Sequence, residues 1–364
     1  MHASEIWEKS TGKGISVAVI DGGVNPSTPS LKGQVVKGVD VAGIAGDETD
    51  DYDGHGTTMA ELIAGTGKGG GIQGLAPGAK IIPVRTLTAE MRDKEAPDRL
   101  HTLDKAIRAS ADSDAQIINV SLGQDAWDDD TREAVEYAAK KGKMMFSSVG
   151  NEAKGLNHVD YPAAYPDVVG VAATDSEGQV ASFSEHGDEV HLAAPGVKVP
   201  SWCDESFKRY CVTQGTSQAT AIASASAALI WSAHPDWTAN QVLRVMFESA
   251  GRGDDWKDKV STYLGHGIVR PNAAITRGIG KPGDPNLSPL TNEKTGGTVP
   301  GKAGAPSAPA SSQPPKPKPG SNATVAGSSK STSDGGQLGL IIGIGAAVVI
   351  AVGAFVVVRK RRSA

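Results

Sequence analysis

The stretch Val17-Ala-Val-Ile-Asp21-Gly22-Gly23 decides the fold of this chain, because it combines a buried strand with a terminal carboxylate and a glycine turn. Its continuous apolar run indicates a strand that is covered on both faces, as in a parallel sheet. Sites form at the carboxyl ends of strands in open parallel sheets, which makes Asp21 a candidate functional residue. An Asp-Gly pair is also a common turn, and for Asp21 taken alone both interpretations stay open.

Similar apolar runs alternate with helical patterns along the first 280 residues. The strand-like runs lie at 15–20, 81–87, 116–122, 144–149 and 168–172. The helical patterns lie at 55–64, 98–111, 130–141, 217–233 and 239–250. This alternation predicts an α/β fold with a doubly wound, mostly parallel sheet and helices on both faces. We assign residues 1–280 to this single domain.

Charge is unevenly distributed along the 364 residues. The whole chain has a net charge of −5, but residues 281–364 hold ten basic and three acidic residues, which leaves −12 on residues 1–280. Binding to nucleic acid needs clustered basic side chains, so this acidic domain is not expected to bind nucleic acid. Two cysteines are too few for a four-cysteine zinc site, and we predict neither a metal site nor a cofactor.

Two segments of different character follow the α/β domain. Residues 281–337 are rich in Pro, Ser and Gly and predict a disordered linker. Residues 338–358 are an uncharged run long enough to span a bilayer as one helix, a buried core helix being the alternative. The basic tail 359–364 predicts a cytoplasmic C-terminus and an extracytoplasmic α/β domain, anchored in the cell membrane by a single span. Residues 1–5 lack the features of an export signal, and we expect the natural chain to begin further upstream.

Three further segments place reactive side chains at the start of a helix or the end of a strand. Gly54-His55-Gly56 opens a helix and leaves the imidazole free to act as a general base, although a lone histidine is often structural. Ser217 follows Gly-Thr at the start of an alanine-rich helix, where a serine is either a cap or a nucleophile. Gly150-Asn151 ends a strand, as a turn or as an amide that stabilises developing negative charge.

In this order Asp21, His55, Asn151 and Ser217 resemble the functional residues of the subtilisin-like serine peptidases, the S8 family or subtilases. The resemblance covers roughly residues 5–275 and implies a subtilisin-like fold. It also implies a serine endopeptidase that hydrolyses polypeptide substrates through an acyl-enzyme. The matching blocks are VAVIDGGV (17–24), DGHGT (53–57), INVSLG (118–123), SVGN (148–151), AAPG (193–196) and GTSQAT (215–220).

The resemblance assigns a role to each of these residues. Ser217 becomes the nucleophile, His55 the base that takes its proton, and Asp21 the carboxylate that orients the imidazole. The side chain of Asn151 and the backbone N–H of Ser217 become the oxyanion hole.

Substrate binding is also implied by the resemblance. Ser121, Leu122 and Gly123 pair with extended substrate, and Gly150 lines the first specificity pocket, which receives the side chain before the scissile bond. Two positions depart from the family pattern, Gly22 where Ser or Thr is usual and Ala221 where Pro is usual.

Cysteine and acidic residues leave further alternatives open. Cys203 and Cys211 lie just before the nucleophile segment, where an oxidising exterior favours a local disulfide over two free thiols. The acidic runs 47–53 and 128–130 are interpreted as solvated surface, with a bias toward basic substrates or calcium binding as narrower hypotheses.

The order of segments resembles the mycosins, which are membrane-anchored subtilases associated with type VII secretion in actinobacteria. A catalytic body, a Pro-rich linker and one C-terminal span with a basic tail carry this likeness. It implies a secretion-system membrane complex as partner. The alternative function is that of a structural or docking component whose proteolytic activity is dispensable.

Overall fold

The strand predicted from residues 17–21 lies inside a seven-stranded parallel sheet. The computed structural model describes residues 2–88, 91, 102–253 and 260–295. The strand order is β2-β3-β1-β4-β5-β6-β7, and every neighbouring pair is parallel. The strands are β1 Ser16–Asp21, β2 Val39–Asp40, β3 Lys80–Arg85, β4 Ile117–Val120, β5 Met144–Ser148, β6 Val169–Thr174 and β7 Val190–Pro195.

The helices of the described residues connect and cover these strands. Helix α4 begins where the Asp128 side chain accepts the N–H of Thr131 at 3.1 Å, and α6 begins with a capping box between Thr238 and Gln241. The helices are α1 Ala3–Trp7, α2 His55–Ala64, α3 Leu103–Asp112, α4 Asp129–Lys140, α5 Thr216–Ala233, α6 Ala239–Ser249 and α7 Pro271–Ile275.

Strand β1 shows why both faces of the sheet are covered. Val17 and Val19 face a core that includes Trp231 of α5, whereas Ala18 and Ile20 face a second core with helices α3 and α4. Successive side chains of a strand point to opposite faces, so a strand with two buried faces must be apolar throughout. The predicted mostly parallel α/β sheet with helices on both faces is confirmed.

The parallel arrangement brings separate parts of the sequence to one edge of the sheet. β1 lies between β3 and β4, with Ala18 opposite Ile82 and Ile118. Asp21 ends β1, and the segments that follow β4 and β5 leave the sheet at the same edge. The predicted site residues at 21, 121–123 and 150–151 therefore share one end of the fold.

An antiparallel hairpin was not predicted from the sequence. Strand β8 (Val197–Trp202) pairs with β9 (Tyr210–Gln214), which leads directly into α5. Both strands are short and partly exposed, so neither has the apolar run that identified the sheet strands.

The boundary of the α/β domain at residue 280 was also predicted wrongly. Thr238 Oγ1 donates to the Pro285 carbonyl at 3.0 Å, and Asn240 Nδ2 donates to Thr295 Oγ1 at 2.7 Å. The domain therefore extends to at least residue 295, because side chains of α6 satisfy polar groups that the composition of this segment assigned to a linker.

The predicted membrane span at 338–358 lies outside the described residues. Within the described ranges, no helix combines the length and apolar character needed to cross a bilayer.

Candidate active site

Buried Asp21 pairs with the partly exposed His55 at the carboxyl end of β1. His55 Nδ1 lies 3.0 Å from Asp21 Oδ1 and 2.9 Å from Oδ2. The Asp21 side chain is 1% exposed, and its Oδ1 also accepts the backbone N–H of Gly22 at 2.8 Å. The backbone of Gly22 therefore helps to hold the carboxylate, although this residue lacks the hydroxyl that is usual in the family.

The start of helix α2 approaches Asp21 closely because Gly56 has no side chain. A Cβ at Gly56 would lie 2.1 Å from the Gly23 carbonyl oxygen and 2.9 Å from Asp21 Cβ. These distances leave no room for a side chain. Gly56 thus sets how close His55, the first residue of the helix, comes to the carboxylate.

Asp51 accepts hydrogen bonds from the backbone at the start of the same helix, α2. Its Oδ1 accepts the N–H of Gly54 at 3.0 Å and its Oδ2 accepts the N–H of Thr57 at 2.7 Å, and the residue is buried. The interpretation of 47–53 as solvated surface is therefore wrong for Asp51, which satisfies free N–H groups at the helix N-terminus.

The carboxylates around His55 favour its protonated form. Burial lowers the pKa of His55, but the charge and hydrogen bond of Asp21 and the charges of Asp53 and Asp51 outweigh it and raise the pKa to about 9. Burial raises the pKa of Asp51 to about 7, against the hydrogen bonds from Thr57. The surrounding carboxylates therefore favour the imidazolium form of His55 at neutral pH.

Ser217 lies in the first turn of α5, against the segment that follows β4. Its Oγ donates to the Ser121 carbonyl at 3.2 Å, and Ser121 Oγ donates to the Ser217 carbonyl at 3.4 Å. Ser121 lines a groove of about 250 Å³ together with Asp21, His55, Leu122 and Gly123. These two hydrogen bonds attach Ser217 to a wall of the groove that contains the Asp21–His55 pair.

The amide of Asn151 is oriented by the residue before Ser217. Asn151 Oδ1 accepts the Thr216 backbone N–H at 2.9 Å and the Thr216 hydroxyl at 3.1 Å. Because a backbone N–H can only donate, the carbonyl oxygen of the amide must face Thr216. The NH₂ group of Asn151 is then turned away from Thr216, as a potential hydrogen-bond donor.

A family comparison agrees with this geometry. A model of the subtilase family matches residues 12–270, well over half of the chain. This chain belongs to the subtilase family. The subtilase is 34% identical over 275 residues to the thermophilic serine proteinase of Bacillus sp. (strain AK1), a match that covers 74% of this chain and 64% of that relative. The chain thus spans less than two thirds of the length of that relative.

Two solved structures from type VII secretion systems are similar to this subtilase. The MycP3 protease from the type VII (ESX-3) secretion system has 30% identity and a TM-score of 0.63, over 75% of this chain and 85% of that chain. The serine protease MycP1, an essential component of the type VII (ESX-1) secretion system, has 30% identity and a TM-score of 0.64, over 75% and 86%. The expected subtilisin-like fold and the likeness to mycosins are confirmed.

The hairpin of this subtilase carries the two cysteines. The structure joins Cys203 to Cys211 in a disulfide. The N–H of Trp202 donates to Thr58 Oγ1 at 3.0 Å, so the bridged hairpin packs on helix α2 one turn after His55. Because β9 continues into Gly215 and Ser217, the disulfide constrains a segment that contacts both helices of the site.

A buried polar network behind Ser217 was missed in the sequence. Ser224 Oγ donates to Asn119 Oδ1 at 3.0 Å, and Asn119 Nδ2 donates to Ser121 Oγ at 2.9 Å. Ser224 follows Ser217 by seven residues, or two helical turns, and this spacing could have identified it as lying on the same face of α5.

Two acidic residues near the predicted specificity pocket were also missed. Asp160 and Glu185 lie against Gly123 and Gly150. No periodicity or motif marks these carboxylates, because separate loops bring them to the groove.

Proposed function

We propose that this subtilase is a membrane-anchored serine endopeptidase that works through Asp21, His55 and Ser217. The observation that carries the proposal is the contact of His55 Nδ1 with both oxygens of buried Asp21, in a groove whose lining residue Ser121 accepts a hydrogen bond from Ser217. A carboxylate on Nδ1 leaves Nε2 of the imidazole as the nitrogen that exchanges protons with the reacting groups.

The reaction begins at the Ser217 hydroxyl. Neutral His55 takes the proton as Ser217 Oγ attacks the scissile carbonyl, and Asp21 stabilises the imidazolium that forms. The imidazolium then donates its proton to the leaving amine, which releases the first product and leaves an acyl-enzyme. Water, deprotonated by His55, hydrolyses the ester and restores Ser217.

The oxyanion is stabilised by two donors at the start of α5. These are the Asn151 NH₂ group, oriented by Thr216, and the backbone N–H of Ser217. The helix N-terminus adds its positive partial charge at the same place. Extended polypeptide pairs with residues 121–123, so the substrate class is unfolded or loop-exposed protein.

Membrane anchoring rests on the sequence beyond the described residues. The apolar run 338–358 and the basic tail 359–364 support a single span with an extracytoplasmic catalytic domain. The fold-level likeness to MycP3 and MycP1 supports an association with a type VII secretion complex.

A second candidate function is that of a docking component of such a complex. It is favoured by the likeness to MycP1, which is described as an essential component of its secretion system. The presence of Asp21, His55, Asn151 and Ser217 together favours the peptidase, because a scaffold has no need of them.

The test uses the purified full chain in detergent and an internally quenched peptide. Wild type should cleave the peptide, and Ser217→Ala should reduce kcat by a factor of about 10⁶, as in subtilisin. Ser232→Ala, which removes a hydroxyl from the far end of α5, serves as the matched control and should retain full activity. If folded wild type does not cleave the peptide, the proposed peptidase function is wrong.

Cell experiments separate the remaining parts of the proposal. Added protease should digest residues 1–337 in intact cells, and protection of this region would refute the proposed topology. If Ser217→Ala restored secretion fully in a strain that lacks the protein, the docking function would replace proteolysis as the cellular role.

A further inference from the structure

Two carboxylates lie directly against the glycines that line the predicted first specificity pocket. A Cβ at Gly150 would be 2.1 Å from Glu185 Oε2 and 3.0 Å from Asp160 Oδ2. A Cβ at Gly123 would be 2.2 Å from the same Asp160 oxygen. Since both oxygens lie this close to one point beside Gly150, they are at most about 5 Å apart. The pocket between the two substrate-binding segments is therefore acidic on one side.

Glu185 is a buried carboxylate with one unsatisfied oxygen. Its residue is 3% exposed, and its Oε1 accepts the N–H of Glu152 at 3.1 Å. Among the described residues, no donor reaches Oε2. A buried charged oxygen without a partner is costly, and in native proteins such a group usually has a functional reason.

The surroundings of this pair add negative charge. Burial and the charges of Asp160, Glu152 and Asp125 together raise the pKa of Glu185 to about 7, against the hydrogen bond from the Glu152 backbone N–H. Burial and the charge of Asp125 likewise raise the pKa of Asp160 to about 6, although His158 opposes this. The ionised forms of Asp160 and Glu185 thus repel each other, and a cation that enters between them would stabilise both.

We propose that Asp160 and Glu185 select a lysine or arginine side chain immediately before the scissile bond. The inference deepens the proposed peptidase function and rests on it. An arginine guanidinium presents several donors in one plane and suits two carboxylate oxygens no more than about 5 Å apart. A lysine ammonium offers three donors on a flexible stem. Either cation supplies the missing donor to Glu185 Oε2.

The residues proposed to cause a preference for basic substrates differ from those that the sequence suggested. The sequence suggested the runs 47–53 and 128–130 for such a bias. In the structure Asp51 binds the start of α2 and Asp128 caps α4. Asp53 of the first run lines the groove beside His55. Asp160 and Glu185, on loops after β5 and β6, lie instead against Gly123 and Gly150 of the predicted pocket.

The experiment compares peptides that differ only in the residue before the scissile bond, namely Arg, Lys, Phe, Leu and Glu. For the full chain, kcat/KM should be at least tenfold higher for Arg and Lys than for Phe. Asp160→Asn and Glu185→Gln should each reduce the Arg-to-Phe ratio about 10- to 100-fold, the loss expected for one charge-assisted hydrogen bond. Glu133→Gln, which neutralises an exposed carboxylate on α4, should leave the ratio unchanged. Equal kcat/KM values for Arg and Phe in wild type would overturn the inference.

Thermal unfolding supplies a readout that a structural role would not give. Removing one of two repelling carboxylates should raise Tm by about 1 to 4 °C. If Asp160→Asn and Glu185→Gln both lower Tm, the carboxylates stabilise the fold and the inference is wrong.

Binding of benzamidine, a small amidinium cation, separates this inference from the peptidase proposal. Calorimetry on full-length Ser217→Ala should detect binding that weakens at least tenfold when Asp160→Asn is added. This result supports the cation pocket even if wild type cleaves no peptide, in which case only the peptidase proposal fails. Cleavage by wild type without benzamidine binding and without a preference for Arg overturns only the cation pocket.

Discussion

Replacing Asp53 with asparagine tests the electrostatic environment of His55. Asp53 Oδ1 accepts the His55 backbone N–H at 2.8 Å, and its charge is one of those that raise the His55 pKa to about 9. Asparagine retains an acceptor for this hydrogen bond and removes only the charge. With ~6 Å between the charges and an effective dielectric constant of ~40 to 80, the lost interaction is ~0.7 to 1.4 kcal/mol, or ~0.5 to 1 pKa unit.

The sign of the effect follows from the charge of the imidazolium. A nearby carboxylate stabilises protonated His55, so its removal lowers the pKa and increases the fraction of neutral base at a given pH. We therefore expect the acidic limb of kcat/KM to move down by about 0.5 to 1 pH unit in Asp53→Asn. At pH 7, well below the pKa, kcat/KM should rise about three- to tenfold.

The assay measures kcat/KM between pH 5 and 10 with one peptide whose own charge is constant over this range. The charge of Asp53 also helps to raise the pKa of Asp51, so the two curves are compared above pH 7, where Asp51 is mostly ionised in both proteins. Asp47→Asn is the matched control, because Asp47 is exposed on the same loop and does not contribute to the His55 pKa. An acidic limb that stays in place or moves up in Asp53→Asn, or that moves equally in Asp47→Asn, would refute the reasoning.

Three further substitutions test the packing of the site. Gly56→Ala places a Cβ 2.1 Å from the Gly23 carbonyl and should reduce kcat/KM at least ~100-fold by displacing the helix start, and near-normal steady-state rates would contradict this. Asn151→Ala should lower kcat about 10²- to 10³-fold with little change in KM, as in subtilisin, whereas an effect on KM alone would argue against an oxyanion role. Ser224→Ala leaves the side-chain oxygen of buried Asn119 without the hydroxyl that donates to it, and should lower the free energy of unfolding in urea by about 1 to 3 kcal/mol. An unchanged midpoint of urea unfolding would contradict this.

Five of the seven strands of the central sheet were predicted, because burial on both faces imposes a simple pattern, whereas β2 and β7 were missed. Strand β1 must be apolar at every position, since Val17 and Ala18 face different cores. Helix α2 was predicted with its observed bounds, His55–Ala64, because a glycine precedes it and its apolar residues follow the helical period.

The parts of the fold that were missed depend on contacts distant in sequence. The hairpin formed by β8 and β9 is partly exposed and lacks an apolar run. Residues 281–295 have the composition of a linker, and only contacts with α6 reveal that they belong to the domain. Composition describes what a segment can bury by itself, not what a neighbouring helix can hydrogen-bond.

The residues of the candidate site likewise fall into those that have a local sequence signal and those that have none. Asp21 and His55 lie next to glycines and Ser217 lies two residues after Gly215, all at the ends of regular elements, which gives them a local signal. Asp160 and Glu185 have none, because their meaning depends on where two loops place them relative to Gly150. Asp51 was assigned to the surface for the same reason, since neighbouring acidic residues in sequence concealed its burial.

Covalent labelling tests the central claim, that Ser217 is a nucleophile activated by the Asp21–His55 pair. The full chain is treated with a fluorophosphonate at pH 9, where a large fraction of His55 is neutral, and the modified peptide is identified by mass spectrometry. We expect one adduct, on Ser217, in wild type and none in Ser217→Ala. A folded wild type that remains unmodified, or an adduct that persists in Ser217→Ala, would contradict it.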